Sequence, residues 1–380
     1  MAAVRVDVKP ELLRWACERA GEGGAALRER FNLDAWMRGE TRPTLNQLED
    51  FARAARVAVG YLFLPEPPEE RLPIRDMRTM GGKGVRRPSP DLLDIIYLCQ
   101  QRQEWYREYA EQNGHEPVSF VGSATLNDTP ERVAADMRRV LEFDTAARRE
   151  CSNPGETMRL LIERAESAGI LVMVSGVVKN NTSRILDPNE FRGFALADPL
   201  APLVFVNGAD SKAAQMFTLA HETAHLWLGE SALSDVSLGT STNNRTERWC
   251  NQVAAEFLVP VEELKQMAVS DPIGNLNTYK QAFKVSRPVI LRRLLDAGAI
   301  SRGQFDQIYP AILSQSGSAK SKSSGGDFYN TLPVRASKRF VRALLASTAA
   351  GQTLYREAFQ LLGINSVKTL KGVAQRVGGV

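Results

Sequence analysis

The chain has 380 residues, 43% hydrophobic and 24% charged, which is enough for two or three domains that each bury a core, and no apolar run reaches the ~18 residues of a membrane span. Its net charge of +4 is unevenly placed: residues 1–80 hold thirteen Lys/Arg and thirteen Asp/Glu, whereas 314–380 hold ten Lys/Arg against Asp327 and Glu357, or +8. An acidic partner would therefore dock at the C-terminal end. Cys17, Cys99, Cys151 and Cys250 are scattered without a C-x-x-C pair, which argues against a disulfide framework and a thiolate zinc knuckle. Residues 1–10 lack the apolar region of a secretory signal, so a cytoplasmic location is expected.

In chain order, Pro10–Ala20 predicts an amphipathic helix stopped by Gly21-Glu22-Gly23-Gly24, and Ala25–Trp36 a second one. Thr44 caps a third, in which Leu45, Leu48, Phe51, Ala52 and Ala55 recur at helical spacing. The run Leu64-Pro65-Glu66-Pro67-Pro68 ends the segment. Helices are expected over Pro90–Gln112, from Pro130 to about Leu141, and over Asn153–Ala168. Ile170–Val174, Gly193–Ala197 and Leu203–Val206 predict strands of a small antiparallel sheet. Two long helices follow, about Ser211–Gly229 and Asn244–Val259, then short ones to Leu313. Ser314–Gly326 is a Ser/Gly/Lys-rich linker, and Leu332–Ala349 and Gly351–Leu362 form basic amphipathic helices. The divisions expected are 1–80, 81–313, 314–326 and 327–380.

The first long helix carries His221-Glu222-Thr223-Ala224-His225. Residues four apart share a helix face, so both imidazoles can hold one metal ion while Glu222 faces a water beside it and takes its proton. Two of the three histidines fall in this pattern; His115, in a polar Asn-Gly-His-Glu run, reads as a surface residue. A catalytic zinc takes three protein ligands and keeps one position open. The next helix offers Glu247 and Glu256, with Trp249, Val253, Phe257 and Leu258 facing the core and Glu256 facing solvent. No fourth protein ligand is evident. Tyr279, Arg287, Arg292 and Arg293 lie downstream as candidate oxyanion stabilisers.

The run Glu247-Arg248-Trp249-Cys250-Asn251-Gln252-Val253-Ala254-Ala255-Glu256-Phe257-Leu258-Val259-Pro260 resembles the E-x-x-A-N-x-F-A-A-x-L-L-M-P signature of the ImmA/IrrE metallopeptidases. The likeness extends upstream through Phe191–Ala195, Val206–Ser211 and Gln215–Leu219. It implies Glu247 as third zinc ligand and Asn251 as a polar group supporting the ligands. Cys250 stands where the family has Ala and reads as a small buried residue rather than a redox sensor.

Trp36–Leu45 resembles the end of a repressor-type (XRE) helix-turn-helix domain, a frequent fusion partner of such peptidases. Here only Ala25–Arg38 is available for the scaffold and recognition helices, and the segment is charge-neutral. A DNA reader needs a basic face. Arg28, Arg30, Arg38 and Arg42 are the residues that could meet phosphates; a helical module for protein contact fits better. The expected fold is thus α+β and mainly helical: a zincin-like domain with a small sheet, an N-terminal helical domain and a basic C-terminal unit. The resemblance implies a zinc endopeptidase that cuts a regulatory protein such as a repressor. Its alternative is an antitoxin that sequesters a PIN-like ribonuclease toxin and holds zinc as an accessory.

Overall fold

In the computed structural model, residues 4–20, 23–69, 72–77, 88–234, 244–267, 270–316 and 327–378 are described. Helix α1 (Pro10–Arg19) opens on a proline, whose missing N–H is no loss at a helix start. The single stretch expected over Ala25–Trp36 is two helices, α2 (Gly23–Arg30) and α3 (Leu33–Met37). Both fit in this short segment because they have only eight and five residues. Between them Asn32 adopts the left-handed conformation (φ 51°), which asparagine tolerates better than most residues. Helix α4 (Leu45–Ala55) begins with a reciprocal cap: Thr44 Oγ1 accepts from the Gln47 amide at 3.2 Å, and Gln47 Oε1 accepts from the Thr44 amide at 2.9 Å. Leu12, Leu13, Leu33, Trp36, Leu48, Phe51 and Leu62 make the core of this unit, which comprises Met1–Pro73 and Arg86–Ile96.

The second unit comprises Ile74–Val85 and Tyr97–Val380. Its sheet runs in the order β1 (Arg75–Asp76), β5 (Ala232–Ser234), β3 (Gly193–Leu196), β4 (Leu203–Asn207), β2 (Leu171–Ser175). The expected antiparallel sheet is mixed. Strand β3 is antiparallel to β4 and β5, but β2 pairs with β4 and β1 with β5 in parallel. The parallel pair β2–β4 is possible because β3, inserted between them in the chain, crosses to the far side of β4. Strands β1 and β5 are two and three residues long, too short for a period-2 signal.

One sheet face, with Val172, Val174, Ala195, Val204 and Val206, packs in a single core with α9 (Lys212–Leu228), α8 (Pro154–Ser167), α10 (Arg245–Leu258) and α6 (Pro130–Val140). On the other, Phe194 and Phe205 stack with ring centroids 4.9 Å apart. Met173 there meets Cys99 and Arg102 of α5 (Pro90–Gln112). Every residue of β2, β3 and β4 is buried, which explains their continuous apolar runs.

The helix expected over Leu332–Ala349 breaks at Ser337 (φ 70°) into α15 (Phe328–Ala336) and α16 (Lys338–Ala349). Ser337 Oγ donates to the buried Glu166 carboxylate at 2.6 Å and caps α16 through the Phe340 amide. With α17 (Tyr355–Leu362) and α18 (Val367–Val377), these helices pack in the same unit as the sheet, α15 and α16 lying against β2. Most of the expected linker, residues 317–326, lies outside the described residues. Part of the C-terminal basic charge is used internally. Arg339 donates to Tyr106 Oη and the Glu166 carbonyl, Arg342 to the Val377 carbonyl, and Lys338 and Arg376 pair with Glu163 and Asp327. All four cysteines are free and buried, and no helix among the described residues is long and apolar enough to cross a membrane.

Arg102, 3% exposed, ties α5 to the C-terminal helices: Nε donates to the Leu361 carbonyl at 2.9 Å and Nη1 to the Arg335 carbonyl at 3.2 Å. Burial lowers its pKa to about 10, so it still carries its charge near neutral pH. Arg102→Met leaves two helix-end carbonyls buried without donors. It should destabilise the second unit by about 3 kcal/mol, read as a lower urea midpoint with earlier proteolysis after Asp327. An unchanged midpoint would remove Arg102 from this role.

Candidate metal centre

Helix α9 is set on the sheet by its two ends. Ser211 Oγ caps its first turn, and Gly229 closes the last in the left-handed conformation (φ 69°). Gln215 Nε2 donates to the Gly208 and Asp210 carbonyls, fixing the approach from β4. At the other end Trp227 stacks on Phe120 at 4.1 Å and donates to Asp136 Oδ2 at 2.9 Å. Residues Gln215–Trp227 are all buried, which is why no polar face is visible in this helix sequence. Glu247 enters from the first turn of α10, which packs along α9 and is held by Trp249 Nε1 on the Asp128 carbonyl.

Sheet chemistry makes room for the helix. Gly193 of β3 faces α9, and a Cβ there would lie 2.6 Å from Thr218 Cγ2, 2.8 Å from the Phe205 carbonyl oxygen and 3.1 Å from Glu222 Cγ. Only glycine lets Glu222 lie against the strand. Opposite Gly193 in the ladder stands Ser234, with Ala195 and Ala232 as the next pair on the same face. Small side chains thus floor the site.

His221 Nε2 lies 3.4 Å from Glu247 Oε2, His225 Nε2 lies 3.2 Å from Glu247 Oε1, and the two Nε2 atoms are 3.2 Å apart. Both histidines are 0% exposed and Glu247 1%. Among the described residues neither Glu247 oxygen accepts a well-directed hydrogen bond, so the three groups converge on a common point rather than pairing. Zinc bonds of about 2.0–2.2 Å to nitrogen and oxygen in a tetrahedron put adjacent ligand atoms about 3.3–3.6 Å apart, with the separations here at the short end of that range. The observed separations fit, and the His/His/carboxylate donor set is the type zinc takes.

The electrostatics point the same way. Burial and the opposing charge of His221 make His225 harder to protonate, which keeps its lone pair available. Burial works to raise the Glu247 pKa, but the two imidazoles outweigh it and bring it down to about 2, leaving an anion. Glu222, fully buried, is pushed well above the usual carboxylate range by burial and then by the Glu247 charge; Ser234 works in the opposite sense. The two carboxylates thus differ in proton affinity: Glu247 stays ionised, and Glu222 is the one that takes up a proton more readily.

The expected residues His221, His225, Glu247 and Glu222 are brought together. Asn251 stands one turn after Glu247 on the same side of α10, with Oδ1 buried and no partner among the described residues. Glu256 is a correction. It is 6% exposed, pairs with Arg293 of α13 (Arg287–Asp296), and accepts from the Val261 amide. Position alone put it on the outer side of α10, but α13 covers that side. Arg293 is thereby engaged, as are Tyr279 with the Met267 carbonyl, Arg287 with Asn277 and Arg292 with Asp296. Burial holds the Cys250 thiol well above its usual pKa, consistent with a small core residue. His115 is exposed.

Sequence reasoning missed Ser234, whose Oγ lies 3.3 Å from Glu222 Oε2 and 3.2 Å from His225 Nε2. It also passed over Gly193 and over Glu230, whose buried Oε2 adds negative potential near His225. The four N-terminal arginines are exposed but differently engaged: Arg38 pairs with Glu40 at 2.6 Å, Arg42 with Asp7 at 2.9 Å, Arg30 lies over Phe31, and the Arg28 charge acts on the Cys17 thiol, working against the rise that burial gives its pKa.

The wild-type chain should take up a single zinc ion. His221→Ala and Glu247→Gln should each weaken uptake at least about 100-fold by competition with a chromophoric chelator, because each leaves two strong donors. Gly193→Ala should cost about 1–3 kcal/mol of stability by overpacking. Unchanged zinc affinity in Glu247→Gln would eliminate Glu247 as a ligand.

No curated protein matches the chain. Residues 336–376, covering α16 to α18, match a domain family of unknown function, DUF8813. Residues 165–295, which contain all the donors and Glu222, match the model of the IrrE N-terminal-like domain, the peptidase family M78.

Proposed function

We propose that the chain is a zinc-dependent endopeptidase that cuts a regulatory protein of repressor type, with the N-terminal helical unit serving protein contact. The observation that carries this reading is the buried His221–His225–Glu247 donor set with Glu222 beside it on the same helix. The match of residues 165–295 to a peptidase family supports the reaction class. The choice of a regulatory protein extends the resemblance carried by Glu247–Pro260 and by the N-terminal segment.

A zinc ion held by these three side chains would supply a Lewis acid to polarise a water molecule and the scissile carbonyl. The chain does the rest. His221 and His225 are oriented by α9, and Glu247 by α10, so the donors meet without rearrangement. Glu222 takes the proton of the attacking water on its carboxylate and returns it to the departing amine. Its raised pKa suits that step, because a carboxyl that binds a proton readily is a better base than an ordinary one. The donors and Glu222, themselves at 0–1% exposure, lie out of bulk water, which strengthens each electrostatic contact.

The test incubates wild type and Glu222→Gln, both assayed for zinc, with the product of the neighbouring gene. Both proteins should carry the metal, and Glu222→Gln should cut about 10²–10⁴-fold more slowly, the usual share of a general base. Equal cutting by both would rule out Glu222 as the base. A stable complex that neither protein cuts would overturn the peptidase reading in favour of a sequestering antitoxin.

A further inference from the structure

We propose that the hydroxyl of Ser234 is a displaceable fourth oxygen donor of the metal centre, standing in the resting protein where the attacking water must come to reach Glu222. The inference rests on the peptidase reading and adds to it a residue from strand β5.

Ser234 Oγ is 3.2 Å from His225 Nε2. That equals the separation of the two imidazole nitrogens and that of His225 from Glu247, so Oγ stands as close to one donor nitrogen as the donors stand to each other. It is also 3.3 Å from Glu222 Oε2, and its partner atoms are all buried. A hydroxyl has one proton and two lone pairs. With the proton directed to Glu222, both lone pairs remain for a cation. Any water that Glu222 is to deprotonate needs the same two neighbours, the metal on one side and this carboxylate on the other. Ser234 and that water therefore compete for one place.

The exchange is balanced. A neutral alcohol oxygen leaves as a neutral water enters, no bond other than the coordinate one is broken, and Glu222 swaps one O–H donor for another. The backbone allows it. Among the described residues strand β1 pairs with Ala232 and Leu233 and not with Ser234, the last residue given for β5, whose ladder partner is Gly193. Gly193 has no side chain to wedge the hydroxyl in place.

An ordinary buried serine, satisfied by Glu222 alone, makes a different prediction. The full-length protein is loaded with Co²⁺, whose absorption reports its ligands, as wild type, Ser234→Cys, Ser234→Ala and Ser234→Thr, each checked for native far-ultraviolet dichroism. Ser234→Cys should show an intense thiolate-to-cobalt charge-transfer band that wild type, with its own buried Cys250, lacks. Ser234→Ala should bind acetohydroxamate about tenfold more tightly than wild type, and Ser234→Thr within about twofold of it. Cobalt bound by folded Ser234→Cys without the band, or equal acetohydroxamate affinity in Ser234→Ala and wild type, overturns the proposal; so does loss of cobalt from folded Ser234→Ala. If Ser234→Cys does not fold, the alanine and threonine variants decide. Should wild type take up no cobalt at all, the metal-centre reading itself falls; cobalt bound with every variant at position 234 silent sinks Ser234 alone.

Discussion

A carboxylate at 1% exposure that accepts no well-directed hydrogen bond among the described residues is the most demanding group in the second unit, and Glu247 is that group. Burying an ionised carboxylate without a partner costs several kcal/mol even after relaxation. The imidazoles of His221 and His225 soften this cost, but each can compensate fully only by taking a proton that burial withholds from His225. A divalent cation resolves the conflict for all three groups at once, since it needs an anion and two unprotonated nitrogens. Much of the surrounding architecture serves to keep this unstable arrangement in place.

That architecture is a helix pressed on a sheet. Helix α9 can approach β3 closely only because Gly193 has no Cβ, and the alanines at 195 and 232 extend the gap. The opposite face of the sheet is covered too, by α5 and the C-terminal helices, with the Arg102 guanidinium bonded to carbonyls at the ends of α15 and α17. A sheet covered on both faces does not flex readily, so the floor beneath Glu222 is stiff. Here a charge in the interior again does structural duty: Arg102 has carbonyls rather than a carboxylate for partners, which satisfies its donors without creating a second ion.

The donor residues were legible in the sequence because their chemistry depends on local spacing. His221 and His225 are one turn apart whatever surrounds them, and Glu247 sits in a run whose likeness to a known signature is itself local. What was not legible depends on contacts made across the fold. Ser234 lies in a three-residue strand with no periodicity to read, and it reaches Glu222 only because β5 pairs with β3. Glu256 was placed in solvent because nothing in α10 reveals that α13 will cover it. The break at Ser337 was hidden by an apolar pattern that continues through it, and the partner that Ser337 meets there, Glu166, is 171 residues away in sequence. The mixed sheet followed from β3 crossing over, which the order of strands in the chain does not disclose.

Within the second unit the donors differ in how their elements are tied. Helix α10 is tied at its start by Trp249 on the Asp128 carbonyl and by Arg245 on Asn127. At its end Arg293 holds Glu256 and the Val259 carbonyl, while Arg148 and Arg138 donate to the carbonyls of Leu258 and Glu256. Three buried or half-buried guanidiniums at one helix end, where the backbone dipole is negative, oppose any rotation that would swing Glu247 away. Among the described residues, the side-chain hydrogen-bonding partners of Ser234 in β5 are Glu222 and His225, with no guanidinium of the kind that ties α10. A site that must hold three donors still and release one oxygen would be built with this contrast, since displacement then costs a single weak contact rather than a helix register.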